Sequence, residues 1–302
     1  MIGALTLDQL RVLVAIADEG SFSAAARRLR RAQSAVSQAM ANLERVQGGT
    51  LFDRSAYRPA FTQEGRVLVT QARHVLAGAE RFEAIAAGTR EGVEAELALA
   101  IDPLVPSLPL IRGLRELGEA FPDLPVRFST ETLGGSLRRL RAGEATLAVC
   151  LLLPVIPDDV AAYPLLSVTM RPVVAPSHPL ARLGRPVTRD DLEGHVQLVL
   201  SDPVEPDAAG YGLLSRRLWR FVDLARRLDF LLAGLGWCRM PDHLAAPLVE
   251  EGRLVELRAT EDVQPPDTLT IYAAHRRDDP PKRAGRFLLD ALRSSLRPRD
   301  RD

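Results

Sequence analysis

The spacing of apolar residues changes near residue 95, and this change limits the possible folds more than any other feature. Before it, apolar residues recur every three or four positions, which is typical of amphipathic helices. After it, short apolar runs such as "ELALAI", "TLAVCLLL" and "TLTIYAAH" alternate with amphipathic stretches such as "LIRGLRELGEAF". Such alternation indicates a parallel α/β architecture. The chain of 302 residues is long enough for two or three domains, and we expect a helical N-terminal part followed by an α/β part.

Two short helices joined by a tight turn are predicted at the N-terminus. Thr6 and Gln9 have the spacing of a capping box, so we expect a first helix from about residue 7 to 18, ended by Gly20. The stretch "SFSAAARRLRR" predicts a second helix that begins after Ser21 or Ser23. Helices connected by so few residues indicate a helix-turn-helix.

The stretch "RRAQSAVSQAMANLERVQGG", residues 30–49, predicts a third helix with two unlike faces. Val36, Met40 and Leu43 recur at helical spacing and are expected to face the core. The opposite face is short and polar, and it consists of Ser34, Ser37, Gln38 and Ala41. Short side chains let a helix approach the major groove, while hydroxyls and amides match the hydrogen-bonding groups of the base edges. We therefore predict a DNA-reading face; a merely solvated face is the alternative, but it more typically carries Glu and Lys.

Positive charge is concentrated near this helix. The whole chain has 39 basic and 39 acidic residues, but residues 21–60 contain seven arginines against Glu44 and Asp53. This local excess favours an approach to phosphates. Within the same segment, "TLFDRSAYRPAFTQEG" predicts a β-hairpin wing, with Arg54 and Arg58 in its polar turn.

A long helix capped by Thr62 is predicted next. Its apolar residues alternate by four and three positions, a period of 3.5 that indicates a dimer seam. Plain core packing is the alternative, but no other segment before residue 95 looks free to cover the stripe. The expected seam consists of Leu68, Ala72, Val75, Ala79 and Phe82, continued by Ala86. A hinge, "AGTREGVEAE", is expected from about residue 87 to 95.

Several other classes of protein are disfavoured. The sequence lacks a G-x-S-x-G elbow, an H-E-x-x-H motif and a P-loop, so we expect no enzyme, catalytic residues, metal or cofactor. Cys150 and Cys238 lie in apolar runs, which favours buried structural thiols over a redox sensor. We find neither a signal peptide nor eighteen consecutive apolar residues, so a cytoplasmic protein is expected rather than an exported solute-binding protein.

Together these motifs resemble the LysR-type transcriptional regulators over nearly the whole chain. "FSAAARRL", "AQSAVSQAMANLE", "LFDR" and "FTQEG" are similar to the winged helix-turn-helix of that family, and "HPLA", "GLGWCRMPDHL" and "GRLVEL" to its effector-binding domain. The resemblance implies an α+α/β fold with an N-terminal winged helix-turn-helix, a long linker helix and a two-lobed Rossmann-like (periplasmic-binding-protein-like) effector domain. The expected limits are 1–62, 63–95 and 96–302, with lobes at 96–163 plus 268–297 and at 164–267.

The resemblance also implies partners and site residues. The chain is expected to be a sequence-specific regulator that binds double-stranded DNA and a small-molecule effector, and to form a homodimer or homotetramer without a membrane partner. The expected DNA contacts are Gln33, Ser34, Ser37 and Gln38 for bases and Arg54 and Arg58 in the wing, with Arg31 from the basic segment. The expected effector contacts are Asp102, Pro103, Leu104, Glu131, Thr132, Ser201 and Asp202.

The acidic residues of this set suggest the charge of the effector. Asp102, Glu131 and Asp202 would repel an anion unless Arg138, Arg139 or Arg171 neutralises them. We therefore favour an effector that is neutral or carries an amine. The alternative is that these carboxylates cap adjoining helices and point away from the cleft.

Overall fold

A computed structural model of the chain describes residues 5–53, 60–202, 204, 212–260, 263 and 268–295. The chain divides into two compact units, Met1–Ala87 and Gly88–Asp302. Among the described residues, no helix combines the length and the apolar character needed to cross a membrane.

The N-terminal unit contains short helices, a small hairpin and the greater part of one long helix. Its elements are α1 (Leu7–Glu19), α2 (Phe22–Arg28), α3 (Gln33–Gln47), β1 (Phe52–Asp53), β2 (Ala60–Phe61) and α4 (Gln63–Arg90). The predicted capping box is confirmed, since Gln9 N–H donates to Thr6 Oγ1 at 3.2 Å and Thr6 N–H donates to Gln9 Oε1 at 2.9 Å. Gly20 ends α1 with a left-handed φ of 71°, and Ser21 caps α2.

One apolar core joins these elements. Val36, Met40 and Leu43 of α3 are buried in it, as predicted from their spacing. The wing strands pair in antiparallel register with Phe52 opposite Phe61, and the two ring centroids lie 4.7 Å apart. The start of α4 packs so closely on this hairpin that a Cβ atom at Gly65 would lie 2.3 Å from the carbonyl oxygen of Leu51.

The first half of α4 belongs to this core, which corrects part of the predicted dimer seam. Ala72 is buried and Leu68 packs against the same cluster, so their own unit covers both residues. Val75 and Phe82 are 48% and 73% exposed. The apolar stripe is therefore open only from about residue 75 onward. The heptad spacing did not reveal this because an apolar stripe packs equally well on its own core and on a second chain.

The second unit contains nine strands in the described part of the chain. They are β3 (Leu97–Ile101), β4 (Val126–Thr130), β5 (Leu147–Leu151), β6 (Val160–Val174), β7 (Val196–Leu200), β8 (Arg217–Phe221), β9 (Trp237–Pro241), β10 (Val255–Glu256) and β11 (Thr268–Arg276). The helices are α5 (Ser107–Ala120), α6 (Gly135–Arg141), α7 (Arg189–Glu193), α8 (Leu224–Leu232), α9 (Asp242–Glu250) and α10 (Arg283–Ser295).

The strands run in the order β4-β3-β5-β11-β6-β9-β7-β8, with β10 paired to β6. β3 is parallel to β4 and β5, and β7 is parallel to β8 and β9, as the alternating pattern predicted. The two long strands β6 and β11 differ from that prediction because they pair antiparallel with their neighbours. They connect a lobe built on β3–β5 to a lobe built on β7–β9.

The chain passes from one lobe to the other within β6. Residues 160–169 of β6 pair with β11, whereas residues 170–174 pair with β9. The first crossing therefore lies near Thr169 and Met170 rather than at residue 164. A single extended strand gives no sequence signal at the point where its partner changes, because its alternation of side chains continues without a break.

Candidate functional site

The polar face of α3 is exposed, as its pattern predicted. Gln33, Ser34, Ser37 and Gln38 are all exposed. On the opposite face Val36, Met40 and Leu43 are at most 2% exposed, so the helix is held firmly from behind. No side chain caps the N-terminus of α3, which leaves its first backbone N–H groups open to an external acceptor.

The arginines near α3 are partly neutralised by acidic groups of α1. Arg31 donates to both carboxylate oxygens of Asp8, each at 2.7 Å, and this contact lowers the pKa of Asp8 and raises the pKa of Arg31. Nη1 of Arg28 pairs with Asp18 at 3.1 Å and with Glu19 at 3.3 Å. The predicted DNA contact Arg31 thus already holds α2 and α3 against α1. The predicted wing contacts Arg54 and Arg58 lie outside the described residues.

In the second unit, loops at the carboxyl ends of β3, β4 and β7 form the cleft between the lobes, as expected for parallel α/β sheets. Asp102, Thr132, Ser201 and Asp202 are all buried there. Polar contacts between described residues connect the lobes. Arg138 of α6 donates to both carboxylate oxygens of Asp202, at 2.5 and 2.7 Å, and Thr132 Oγ1 donates to the carbonyl of Val222 at 2.7 Å.

Arginine partners compensate two of the three carboxylates that suggested an amine effector. Asp202 is held by Arg138, and Glu131 accepts a hydrogen bond from Arg139 Nε at 2.5 Å. Arg171 lies elsewhere and pairs with Glu256 and Asp242. The premise that three uncompensated acidic groups meet in the cleft is therefore wrong for Glu131 and Asp202. Sequence alone could not show this, because each arginine had several carboxylates within possible reach.

Asp102 is the remaining carboxylate, and it is only 1% exposed. Its Oδ1 accepts the N–H of Leu104 at 2.8 Å, whereas its buried Oδ2 makes no hydrogen bond of normal geometry in the described structure. Burial raises the pKa of Asp102 to about 6, and the nearby backbone N–H groups of Leu104 and Leu133 offset this only in part. Asp102 therefore supports the turn after β3, which is close to the capping role considered as an alternative.

A cavity of about 60 Å³ lies between the lobes. Its walls are mostly aliphatic, and both lobes and the connecting strands contribute to them. Among the predicted effector residues, only Leu104 lines it. Other lining residues are Leu133, Leu151, Met170, Leu200, Arg227 and Arg239.

Arg227 and Arg239 were missed at the level of sequence, although each left a signal. Both are buried, with 4% and 6% exposure. Arg227 lies between Leu224 and Leu231 at three- and four-residue spacing, on the apolar side of α8. Arg239 interrupts the buried strand "WCRMP". A charged residue at a core position is rare and indicates a partner or a ligand.

The two cysteines have the properties expected of structural thiols. Cys150 and Cys238 are fully buried, and burial raises the pKa of Cys150 to about 12 and the pKa of Cys238 to about 11. Neither forms a reactive thiolate at neutral pH. Within the part of the chain that the structure describes, no group of His, Cys, Asp and Glu side chains could hold a metal ion.

Comparisons with known proteins agree with this architecture. Residues 7–66 match the bacterial regulatory helix-turn-helix protein family, lysR type, and residues 90–297 match the LysR substrate binding domain. The probable HTH-type transcriptional regulator YhaJ of Escherichia coli is 32% identical over 289 residues, covering 91% of this chain and 92% of that protein.

Two solved structures resemble the whole chain. A cysteine mutant of OxyR from Corynebacterium glutamicum, with hydrogen peroxide bound, is 26% identical, with a TM-score of 0.55 and coverage of 96% of this chain and 94% of that one. The regulator LysG from the same organism, with the effector arginine bound, is 24% identical, with a TM-score of 0.50 and coverage of 97% and 98%. The LysG likeness concerns the fold alone.

Proposed function

The chain belongs to the LysR family of bacterial transcriptional regulators, and from this premise we propose that it binds specific DNA sequences and regulates transcription in response to a small molecule. The relatives are regulators rather than enzymes. The N-terminal unit supplies the DNA-reading surface, and the cleft between the two α/β lobes supplies the effector site.

The observation that carries the proposal is the contrast between the two faces of α3. Its apolar face is locked into the core, and its exposed face presents two amides and two hydroxyls from Gln33, Ser34, Ser37 and Gln38. Because these side chains are short or unbranched, the helix backbone can approach the floor of a major groove. Arg54 and Arg58 of the wing are proposed to hold phosphates, and Arg31, which is paired with Asp8, to position the turn before α3 against the DNA.

A symmetric DNA site requires two copies of the N-terminal unit, one for each half of the site. We propose that the later part of the α4 stripe, exposed Val75 and Phe82 with half-buried Ala79 between them, forms the homodimer contact, and that two dimers can associate as a tetramer. A large exposed aromatic side chain such as Phe82 is costly to leave in water, which supports an intermolecular role. A protein that reads chromosomal DNA is proposed to act in the cytoplasm.

Exchange of single side chains on α3 tests the DNA-reading assignment. Gln38→Ala should cost about 1–3 kcal/mol of binding free energy at one base position, with little effect on random DNA. Gln47→Ala is a matched control, because Gln47 lies roughly 180° around α3 from Gln38 and is also exposed. Competition binding with a library of single-base variants of the operator would measure both. Equal losses on operator and random DNA for Gln38→Ala would contradict the assignment.

Exchange of a wing arginine should have a different signature. Arg58→Ala should weaken binding to all sequences alike and reduce the slope of log affinity against log salt by about one, because one phosphate contact is lost. An unchanged slope of log affinity against log salt would show that Arg58 does not contact a phosphate.

A further inference from the structure

Arg227 is a buried guanidinium without a compensating carboxylate in the described part of the chain. It is 4% exposed, and its Nη2 donates to the carbonyl of Arg239 at 3.4 Å and to the sulfur of Met240 at 3.1 Å. Its Nε is buried and has no hydrogen-bond partner among the residues that the structure describes. An arginine stays protonated even when buried, so this charge needs a partner to replace the water it has lost.

The position of Arg227 indicates where such a partner could lie. Its side chain lines the cavity between the lobes, where Leu133, Leu151 and Leu200 form part of the wall. Arg239 lines the same cavity, but its Nη2 already donates to the carbonyl of Val263 at 3.3 Å. The amide of Gln197 is already engaged, because its oxygen accepts the N–H groups of Leu214 and Ser215 and its nitrogen donates to the carbonyl of Gly212. Among these cavity groups, the guanidinium of Arg227 is therefore the polar group best placed to meet a ligand.

We infer that the effector is a small aliphatic carboxylate whose anionic end pairs with Arg227 and whose carbon chain packs against the leucines. This inference rests on the proposed role of the inter-lobe cleft as the effector site. It replaces the expectation of an amine, because Arg138 and Arg139 already compensate two of the acidic groups on which that expectation depended.

The size of the cavity limits the ligand. A volume of 60 Å³ has room for about four to six water-sized atoms, which suits propionate or butyrate. An inorganic oxyanion could satisfy the charge but would leave the aliphatic walls without contact. A larger aromatic acid exceeds this volume.

Calorimetric titration of the full chain with butyrate tests the inference, with butylamine and sulfate as comparison ligands. Butyrate should bind the wild type, and Arg227→Gln should weaken it about 30-fold or more, the factor that corresponds to the loss of one buried charge pair. Arg226→Gln is the matched control, because its side chain is the next one along α8 and is 69% exposed. It should bind butyrate as the wild type does.

Two further measurements keep the test decisive. Should Arg227→Gln fail to fold, Arg227→Lys keeps the charge but removes the forked geometry, and it should still bind butyrate more weakly than Arg226→Gln does. DNA binding without ligand is measured in the same variants. This measurement distinguishes a failure of the proposed DNA-binding function from a failure of butyrate binding. Equal affinity of butyrate for the wild type and Arg227→Gln would overturn the inference. Preferential binding of butylamine, equal binding of sulfate or no binding of butyrate at millimolar concentration would overturn it as well.

Discussion

The buried carboxylate of Asp102 should make the stability of the second unit depend on pH in an unusual direction. Most carboxylates have lowered pKa values in folded proteins, and their contribution to stability is lost in acid. Burial raises the pKa of Asp102 from 3.8 to about 6. The folded state therefore binds a proton more tightly than the unfolded state between these values. This contribution to stability is fully present below pH 3.8 and is lost as the pH rises through 6.

The pKa shift of Asp102 sets the size of the change in unfolding free energy. A difference of about 2 pKa units at about 1.4 kcal/mol per unit corresponds to about 3 kcal/mol of unfolding free energy. About half of this change falls above pH 5, where measurement is practical. Asp102→Asn removes the titrating group but keeps an oxygen that can accept the N–H of Leu104. At pH 7.5 we therefore expect this variant to be more stable than the wild type by up to about 3 kcal/mol.

Urea unfolding between pH 5 and pH 7.5 measures this effect, with the protein concentration held fixed because association also stabilises the chain. The quantity of interest is the difference in unfolding free energy between Asp102→Asn and the wild type at each pH. It should grow by about 1.5 kcal/mol over this range. The exposed Asp123→Asn variant is the control and should follow the wild type. A difference for Asp102→Asn that does not change with pH would refute the reasoning.

Two further predictions concern α4. Gly65→Ala places a Cβ atom 2.3 Å from the carbonyl of Leu51 and should destabilise the N-terminal unit by about 3 kcal/mol, whereas Gly78→Ala, with nothing within 4 Å, should stabilise α4 by about 0.5–1 kcal/mol. Thermal unfolding measures both, and equal midpoints would contradict the packing of the helix on the wing. Phe82→Glu should lower self-association in analytical ultracentrifugation while the unit stays folded, whereas Ala72→Glu should unfold it. A Phe82→Glu variant that associates like the wild type would place the dimer contact elsewhere.

Local sequence determined the secondary-structure elements of the N-terminal unit and the α/β fold class of the second unit. The cap of α1 depends on Thr6 and Gln9, three residues apart, and its end depends on the positive φ of Gly20. The two faces of α3 follow from helical periodicity within fifteen residues. The strand–helix alternation after residue 95 likewise predicted two sets of parallel strands. These features could be read directly because the interacting groups are neighbours in the chain, and their geometry is set by the backbone alone.

Tertiary structure decided which charges and apolar surfaces meet. Arg138 and Asp202 are 64 residues apart, and only the closure of the two lobes makes them partners. The same holds for Leu68 and Ala72, whose apolar side chains suit a dimer seam or their own core equally well until the helices α1–α3 cover them. Arg227 sits at a core position by its spacing, yet the absence of a carboxylate partner among the described residues depends on everything packed around α8. Coulombic and apolar contacts do not depend on separation along the chain, so local patterns cannot rank distant partners.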